Sequence, residues 1–169
     1  MTTAALPEIS EISNWPLKRA RFLFKERREN VHLNDIPLSA TQNYGVIWQD
    51  RYQKISGNRV TVALSGLDNL QHVCRGDFVI SLRTFQGGIE YAYDEGCISP
   101  AYTVLVSTEE VHHPYFRYAL KSSIFLSVLR TAARGIRDGK SINYRDFADL
   151  LIPAPPLGST KVSGRTSRP

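Results

Sequence analysis

Few side chains in this 169-residue chain could do covalent or metal chemistry: His32, His72, the pair His112-His113, Cys74 and Cys97. Metal ligands on a helix sit three or four residues apart so that they share a face, whereas adjacent histidines diverge. His32 and His72 stand far from the pair in sequence, so no metal and no cofactor is expected. A nucleophilic Cys97 would need a histidine and a third, orienting group beside it in space, and nothing in the spacing supplies them. Gly87-Gly88 lacks the GxGxxG spacing of a dinucleotide loop. Gly139-Lys140-Ser141 matches the end of a phosphate-binding loop, but Gly135 is one residue too close and a helix pattern, not a strand, precedes it. The neighbouring carboxylates Asp94 and Glu95 read as solvated turn residues rather than an acid–base pair.

What remains is binding chemistry. Three polar, glycine-bearing loops stand out: Ser39 to Gly45, Arg83 to Gly88 and Arg134 to Ser141. Asn and Gln each offer a donor beside an acceptor, the pair needed to read an adenine edge; Arg can read guanine, and Lys suits phosphate. The residues that could do this are Thr41, Gln42, Asn43 and Tyr44, then Arg83, Thr84 and Gln86, then Arg134, Arg137 and Lys140. An ordinary Asx-type turn is the competing reading of residues 39–45.

These loops need a scaffold. Gly76 to Leu105 reads as strand, polar loop, strand, turn, strand, with apolar edges at Phe78-Val79-Ile80 and Tyr102-Thr103-Val104-Leu105. Leu17 to Phe24 mixes alternation with an i, i+3 pattern and is expected to form a short helix or turn packed by Leu17, Phe22 and Phe24. Leu67 to Val73 reads as a short connecting helix. Pro114 to Arg134 reads as one long helix, with Phe116, Leu120, Ile124, Val128 and Ala132 recurring every fourth residue and Arg117, Lys121, Arg130 and Arg134 on its polar side. Asn143 should cap a second short helix, and Leu150-Leu151-Ile152 a last strand. The irregular mixture predicts an α+β (mixed α/β) fold: one domain over residues 15–157 with a small twisted sheet and flanking helices, after a loose lead-in over 1–14 and before a basic, disordered tail over 158–169.

Length suits one domain, and 42% hydrophobic with 22% charged residues is a soluble globular composition. No apolar run reaches the roughly 18 residues of a membrane span, and the N-terminus lacks a secretory pattern, so a cytoplasmic protein with two reduced thiols is expected. The net charge of +5 is unevenly spread. Basic residues dominate Trp15 to Asn30 and Tyr115 to Arg145, while Thr84 to Glu110 holds no Lys or Arg. Basic faces beside an acidic one suit a polyanion on one side and a protein or solvent on the other.

Taken in order, the residues resemble a target-recognition domain of the specificity subunit of type I restriction-modification systems. Trp15-x-Leu17-Lys18, Leu38-Ser39 and Tyr44-Gly45-Val46-Ile47 open the resemblance. Gly76-Asp77-Phe78-Val79-Ile80-Ser81, Gly87-Gly88-Ile89 and Gly96-Cys97-Ile98-Ser99-Pro100-Ala101-Tyr102-Thr103-Val104-Leu105 continue it. Arg134-Gly135, Tyr144-x-Asp146-Phe147 and Leu151-Ile152-Pro153-x-Pro155-Pro156-Leu157 close it. The resemblance implies a domain that reads half of a split site in double-stranded DNA, is not an enzyme, and acts with modification (methyltransferase) and restriction (translocase-nuclease) subunits. It implies that the three polar loops are the recognition loops. In that family a long spacer helix follows the Pro-Pro-Leu end. Here GSTKVSGRTSRP follows, so a truncated subunit is expected, with weaker ties to the partner subunits. A stand-alone or remnant nucleic-acid-binding module, and an enzyme using Cys97 or the histidines, are the competing classes.

Overall fold

The first and last strands close on each other. Leu17–Arg19 (β1) pairs antiparallel with Leu151–Pro153 (β10), placing Lys18 opposite Ile152, and the Ala154 amide donates to the Pro16 carbonyl at 3.0 Å. The computed structural model describes residues 14–59, 69–81, 84–111, 113–133 and 142–156. Between the closing strands come α1 (Ala20–Leu23), β2 (Phe24–Glu26), β3 (Leu38–Thr41), β4 (Gly45–Trp48), α2 (Gln49–Ser56) and β5 (Gln71–Val73). Then follow β6 (Phe78–Ile80), α3 (Thr84–Gly87), β7 (Glu90–Tyr91), β8 (Gly96–Ile98), β9 (Thr103–Ser107), α4 (His113–Ala119), α5 (Ser123–Ala133) and α6 (Tyr144–Ala148). The class is mixed α+β, as the irregular sequence pattern implies.

An antiparallel four-stranded sheet runs β2-β9-β6-β7, with two-stranded ladders β3-β4 and β5-β8 beside it. β6 explains the unbroken apolar triplet Phe78-Val79-Ile80. Phe78 and Ile80 enter one core with Phe24, Leu105, Phe116 and Phe147, while Val79 enters a second with Leu38, Val46, Ile98 and Val104. A strand buried on both faces has no reason to alternate apolar with polar. Phe24 centres the larger core, meeting Phe78 and Phe116 edge-on at centroid distances of 5.3 and 5.4 Å, a favoured aromatic geometry.

Four sequence expectations are corrected. Leu17 to Phe24 is not a helix packed by Leu17 and Phe22: those two side chains are exposed, and Ala20, Leu23 and Phe24 are buried. The chain is extended on both sides of the four-residue α1, so an i, i+3 pattern there is too short to mark the inward face. The end of the expected helix Leu67 to Val73 is strand β5; residues 67 and 68 lie outside the described part. Cross-strand pairing with β8 buries His72 and Val73 and overrides the local Leu-x-x-Leu spacing.

The long helix expected over Pro114 to Arg134 is two helices, α4 and α5. Its break has visible causes. The Leu120 carbonyl accepts from Ile89 N at 3.0 Å, a tertiary bond in place of a helical one. The Ser122 hydroxyl donates to the Ala119 carbonyl at 2.8 Å and accepts from Phe125 N at 3.2 Å, ending one helix and capping the next. The turn of phase leaves Ile124 69% exposed although it fits the every-fourth-residue pattern. Asp94 is not a solvated turn residue. It is buried, and its Oδ2 accepts from Trp48 N and Arg51 Nη1, each at 3.2 Å. Asn143 does cap α6, its Oδ1 accepting from Asp146 N at 2.9 Å.

Candidate nucleic-acid interface

The loop expected over Ser39 to Gly45 is a tight hairpin between β3 and β4. Thr41 pairs with Gly45. The Thr41 hydroxyl donates to the Gly45 carbonyl and accepts from Tyr44 N, both at 3.0 Å. It therefore shapes the turn from within and leaves Gln42, Asn43 and Tyr44 exposed at its tip. Gly45 has φ +69°, and a Cβ there would lie 2.5 Å from the Tyr91 carbonyl and 2.8 Å from the Tyr93 ring. Only glycine lets the hairpin sit this close to β7.

The Arg83 to Gly88 stretch is not an open loop. Residues 84–87 form the single helical turn α3. Thr84, expected to face DNA, is 1% exposed and its Oγ1 accepts from Ser81 N at 2.8 Å, so its side chain stabilises the turn instead. Gln86 faces solvent. Gly88 (φ +85°) backs onto α4–α5: a Cβ there would be 2.4 Å from the Leu120 carbonyl. The Cβ position of Gly87 lies 2.7 Å from Gln42 Cγ. Two of the three expected loops are thus neighbours, which no local pattern indicated. Arg83, Arg134, Arg137 and Lys140 lie outside the described residues.

The fold adds residues to this face that were not selected from sequence. Tyr93, which flanks Gly45, and Tyr118 are 41% and 59% exposed. Arg117 lies between them, its guanidinium carbon 5.5 Å from the Tyr91 ring centroid, 5.8 Å from that of Tyr93 and 5.7 Å from that of Tyr118. Among the described residues, its buried Nε has no hydrogen-bond partner and no carboxylate pairs with it. One turn further along the chain, Lys121 Nζ donates to the Gln42 carbonyl at 2.9 Å and to Glu90 Oε2 at 2.5 Å. Arg117 is therefore the less neutralised cation of the two. The sequence signal for these residues was Tyr91-x-Tyr93 alternation beside an Arg-Tyr pair on a helix, a pattern without specificity until β7 and α4 are juxtaposed.

Glu90 is 3% exposed, and burial pushes its carboxyl up to about 7 despite the opposing pull of Lys121. Its usual value is 4.5. Between those values the folded state holds the proton more tightly than the unfolded chain, so this group's contribution to stability falls as pH rises from about 4.5 to about 7. Glu90→Gln should remove that decline. The check is the urea midpoint across this pH window: a variant profile parallel to the wild type would refute the assignment.

Cys97, the expected nucleophile of the enzyme reading, is 3% exposed, and burial together with the Asp35 charge pushes its thiol up. A buried thiol kept protonated is a poor nucleophile. Among the described residues no helix is long and apolar enough to cross a membrane. No protein-family model matches the chain, and no curated protein matches it either. The functional reading therefore rests on the geometry of this face and on the ordered series of motifs.

Proposed function

We propose that this chain binds double-stranded DNA through the face formed by the Thr41–Gly45 hairpin and α3, as a target-recognition domain of the kind found in type I specificity subunits. The observation that carries the proposal is the contact between the two turns. Gln42, Asn43, Tyr44 and Gln86 stand together on the surface, with Arg117 and three tyrosines beside them. Amides exposed on tight turns can reach base edges, and a cation held at their flank can take a phosphate. Asn43 and Gln86 carry the base-reading role; Thr41 and Thr84 hold the turns that present them. Modification and restriction subunits would supply the chemistry, and this chain would act in the cytoplasm beside the DNA it reads.

The test is duplex binding at several salt concentrations, followed by selection of preferred sites from random duplexes. Neutralising each phosphate contributes a slope of about −0.9 to log K against log salt. A slope of roughly −3 or steeper and a preferred half-site are expected, with Asn43→Ala and Gln86→Ala changing the preference. An affinity unmoved between about 50 and 200 mM salt would overturn the proposal.

A further inference from the structure

On another part of the molecule the fold gathers residues that the sequence keeps apart. His32 and His72 stack with ring centroids 3.9 Å apart. Glu29 Oε1 lies 2.8 Å from His32 Nε2, and ligand-capable atoms of Glu29, His32 and His72 all fall within 4.8 Å of one another. Cys74 Sγ is 3.4 Å from His72 Nε2. We propose that Glu29, His32, His72 and Cys74 form a binding site for a divalent cation of zinc's class.

Four observations point this way. First, His72 is 2% exposed, and its Nδ1 lies 2.8 Å from Asp35 Oδ2. A carboxylate only accepts, so Nδ1 donates to Asp35, and in the neutral ring Nε2 presents a lone pair. A carboxylate behind a histidine is the usual support for a metal-ligating imidazole. The same Asp35 oxygen accepts from the His32 backbone amide at 2.8 Å, which ties the loop bearing His32 to His72.

Second, the spacing fits. Nitrogen and sulfur ligands on one tetrahedral zinc are separated by about 3.5 Å, given bonds near 2.0 and 2.3 Å. His72 Nε2 and Cys74 Sγ already stand close to that separation. Cys74 is not among the three residues whose ligand atoms all fall within 4.8 Å of one another, so its side chain must turn toward Glu29 and His32 to complete the set. Glu29 and His32 need only open by about 0.5 Å. The His32 side chain, 53% exposed, is free to tilt out of its stack.

Third, the donor set of two imidazoles, a thiol and a carboxylate matches a borderline cation rather than calcium or magnesium, which prefer oxygen ligands.

Fourth, the local charge is negative. Among the described residues, Glu29, Asp35, Asp77 and Glu95 pair with groups of this cluster or its neighbours, and the guanidinium that reaches it is that of Arg27, bound to Glu29 and Asp77. The order Asp35, His72, Cys74 also suits a thiol nucleophile. Burial pushes the Cys74 thiol up; Arg27 opposes the rise and Asp77, Glu95 and Glu29 add to it, so the thiol keeps its proton, whereas a nucleophile needs the thiolate. A bound cation reverses that: it takes the place of the thiol proton and of the proton shared by His32 and Glu29. It would fasten the loop carrying residues 29–35 to the end of β5.

The experiment is titration of the full chain, stripped with chelator and kept reduced, with cobalt(II) and with zinc. Wild type should show visible tetrahedral cobalt bands and a near-ultraviolet thiolate-to-cobalt band at one equivalent, and zinc should raise its thermal midpoint. Cys74→Ser should remove the thiolate band, and Cys97→Ser should keep it. His72→Ala risks misfolding, so the decisive variant is His32→Ala, whose ring is largely in solvent; it should weaken cobalt binding at least tenfold. No cobalt spectrum in the wild type would overturn the site. So would bands that lack the thiolate feature, or binding unchanged in both Cys74→Ser and His32→Ala.

Discussion

Arg117→Ala is expected to weaken duplex DNA binding about tenfold and to make the salt slope shallower by about one. Three tyrosine rings hold this guanidinium, within 6 Å of each centroid, and one of them, Tyr93, flanks the Thr41–Gly45 hairpin. Such a side chain is already ordered, so engaging a phosphate costs it less conformational entropy than a free lysine would lose. No described carboxylate competes for its charge. Lys121 provides the contrast. Its ammonium is bound by Glu90 and the Gln42 carbonyl, so Lys121→Ala should change the salt slope less than Arg117→Ala does. Arg117→Lys should recover most of the slope, because charge is retained, without restoring the stack. Cation–π contacts with the rings contribute roughly 0.5–2 kcal/mol, so Arg117→Ala should still fold. Equal affinity and equal slope in wild type and Arg117→Ala would place the interface elsewhere.

Asp77→Ala is expected to lower unfolding free energy by about 3–5 kcal/mol, the usual cost of removing one member of a buried ion pair. Asp77 is 3% exposed. It accepts from Arg27 Nε at 2.7 Å and Nη2 at 3.1 Å, a two-point contact, and from Cys74 N at 2.9 Å. Arg27 also reaches Glu29 Oε2 at 2.7 Å, so the loop after β2 is latched to the turn that starts β6. Alanine would leave an amide without its acceptor and Arg27 with only a half-exposed partner. The pair can be isolated by a double-mutant cycle. Arg27→Ala and Asp77→Ala together should cost less than the sum of the two, because the second change removes a group already unpaired. Urea unfolding of the four proteins measures this. A loss below about 1 kcal/mol for Asp77→Ala would show the latch to be peripheral.

Local chemistry made part of this molecule legible in advance. Asn143 was readable as a cap because a side-chain acceptor before a helix satisfies a nearby amide. The apolar triplet Phe78-Val79-Ile80 was readable as a strand because a segment buried on both faces has no polar side to show. The loops at Gly45 and Gly88 were readable from their polar residues and glycines, although Gly45 proves to begin β4 just after the hairpin tip and Gly88 packs its backbone on Leu120. Periodicity misled where a tertiary bond intervened. Ile124 fits the helical repeat, yet the capture of the Leu120 carbonyl by Ile89 N shifts the phase and turns Ile124 outward. Asp94 follows the same logic: a carboxylate in a turn was expected to meet water, and the arrival of Trp48 N and Arg51 gave it partners that permit burial.

By itself, then, the sequence determined the mixed α+β class, the strands at Phe78-Val79-Ile80 and Thr103-Val104-Leu105, the polar character of the hairpin tip, and the confinement of positive charge to segments outside residues 84–110. Each of these follows from neighbouring residues or from composition. Only the tertiary structure decided which polar groups keep company. It placed Gln42 against Gly87, drew Arg117 over three tyrosines, spent the hydroxyls of Thr41 and Thr84 on the turns themselves, and brought His32 to His72. Those pairings depend on sheet register and helix phase, which are set by burial across the whole chain and leave no periodic trace in any one stretch of it.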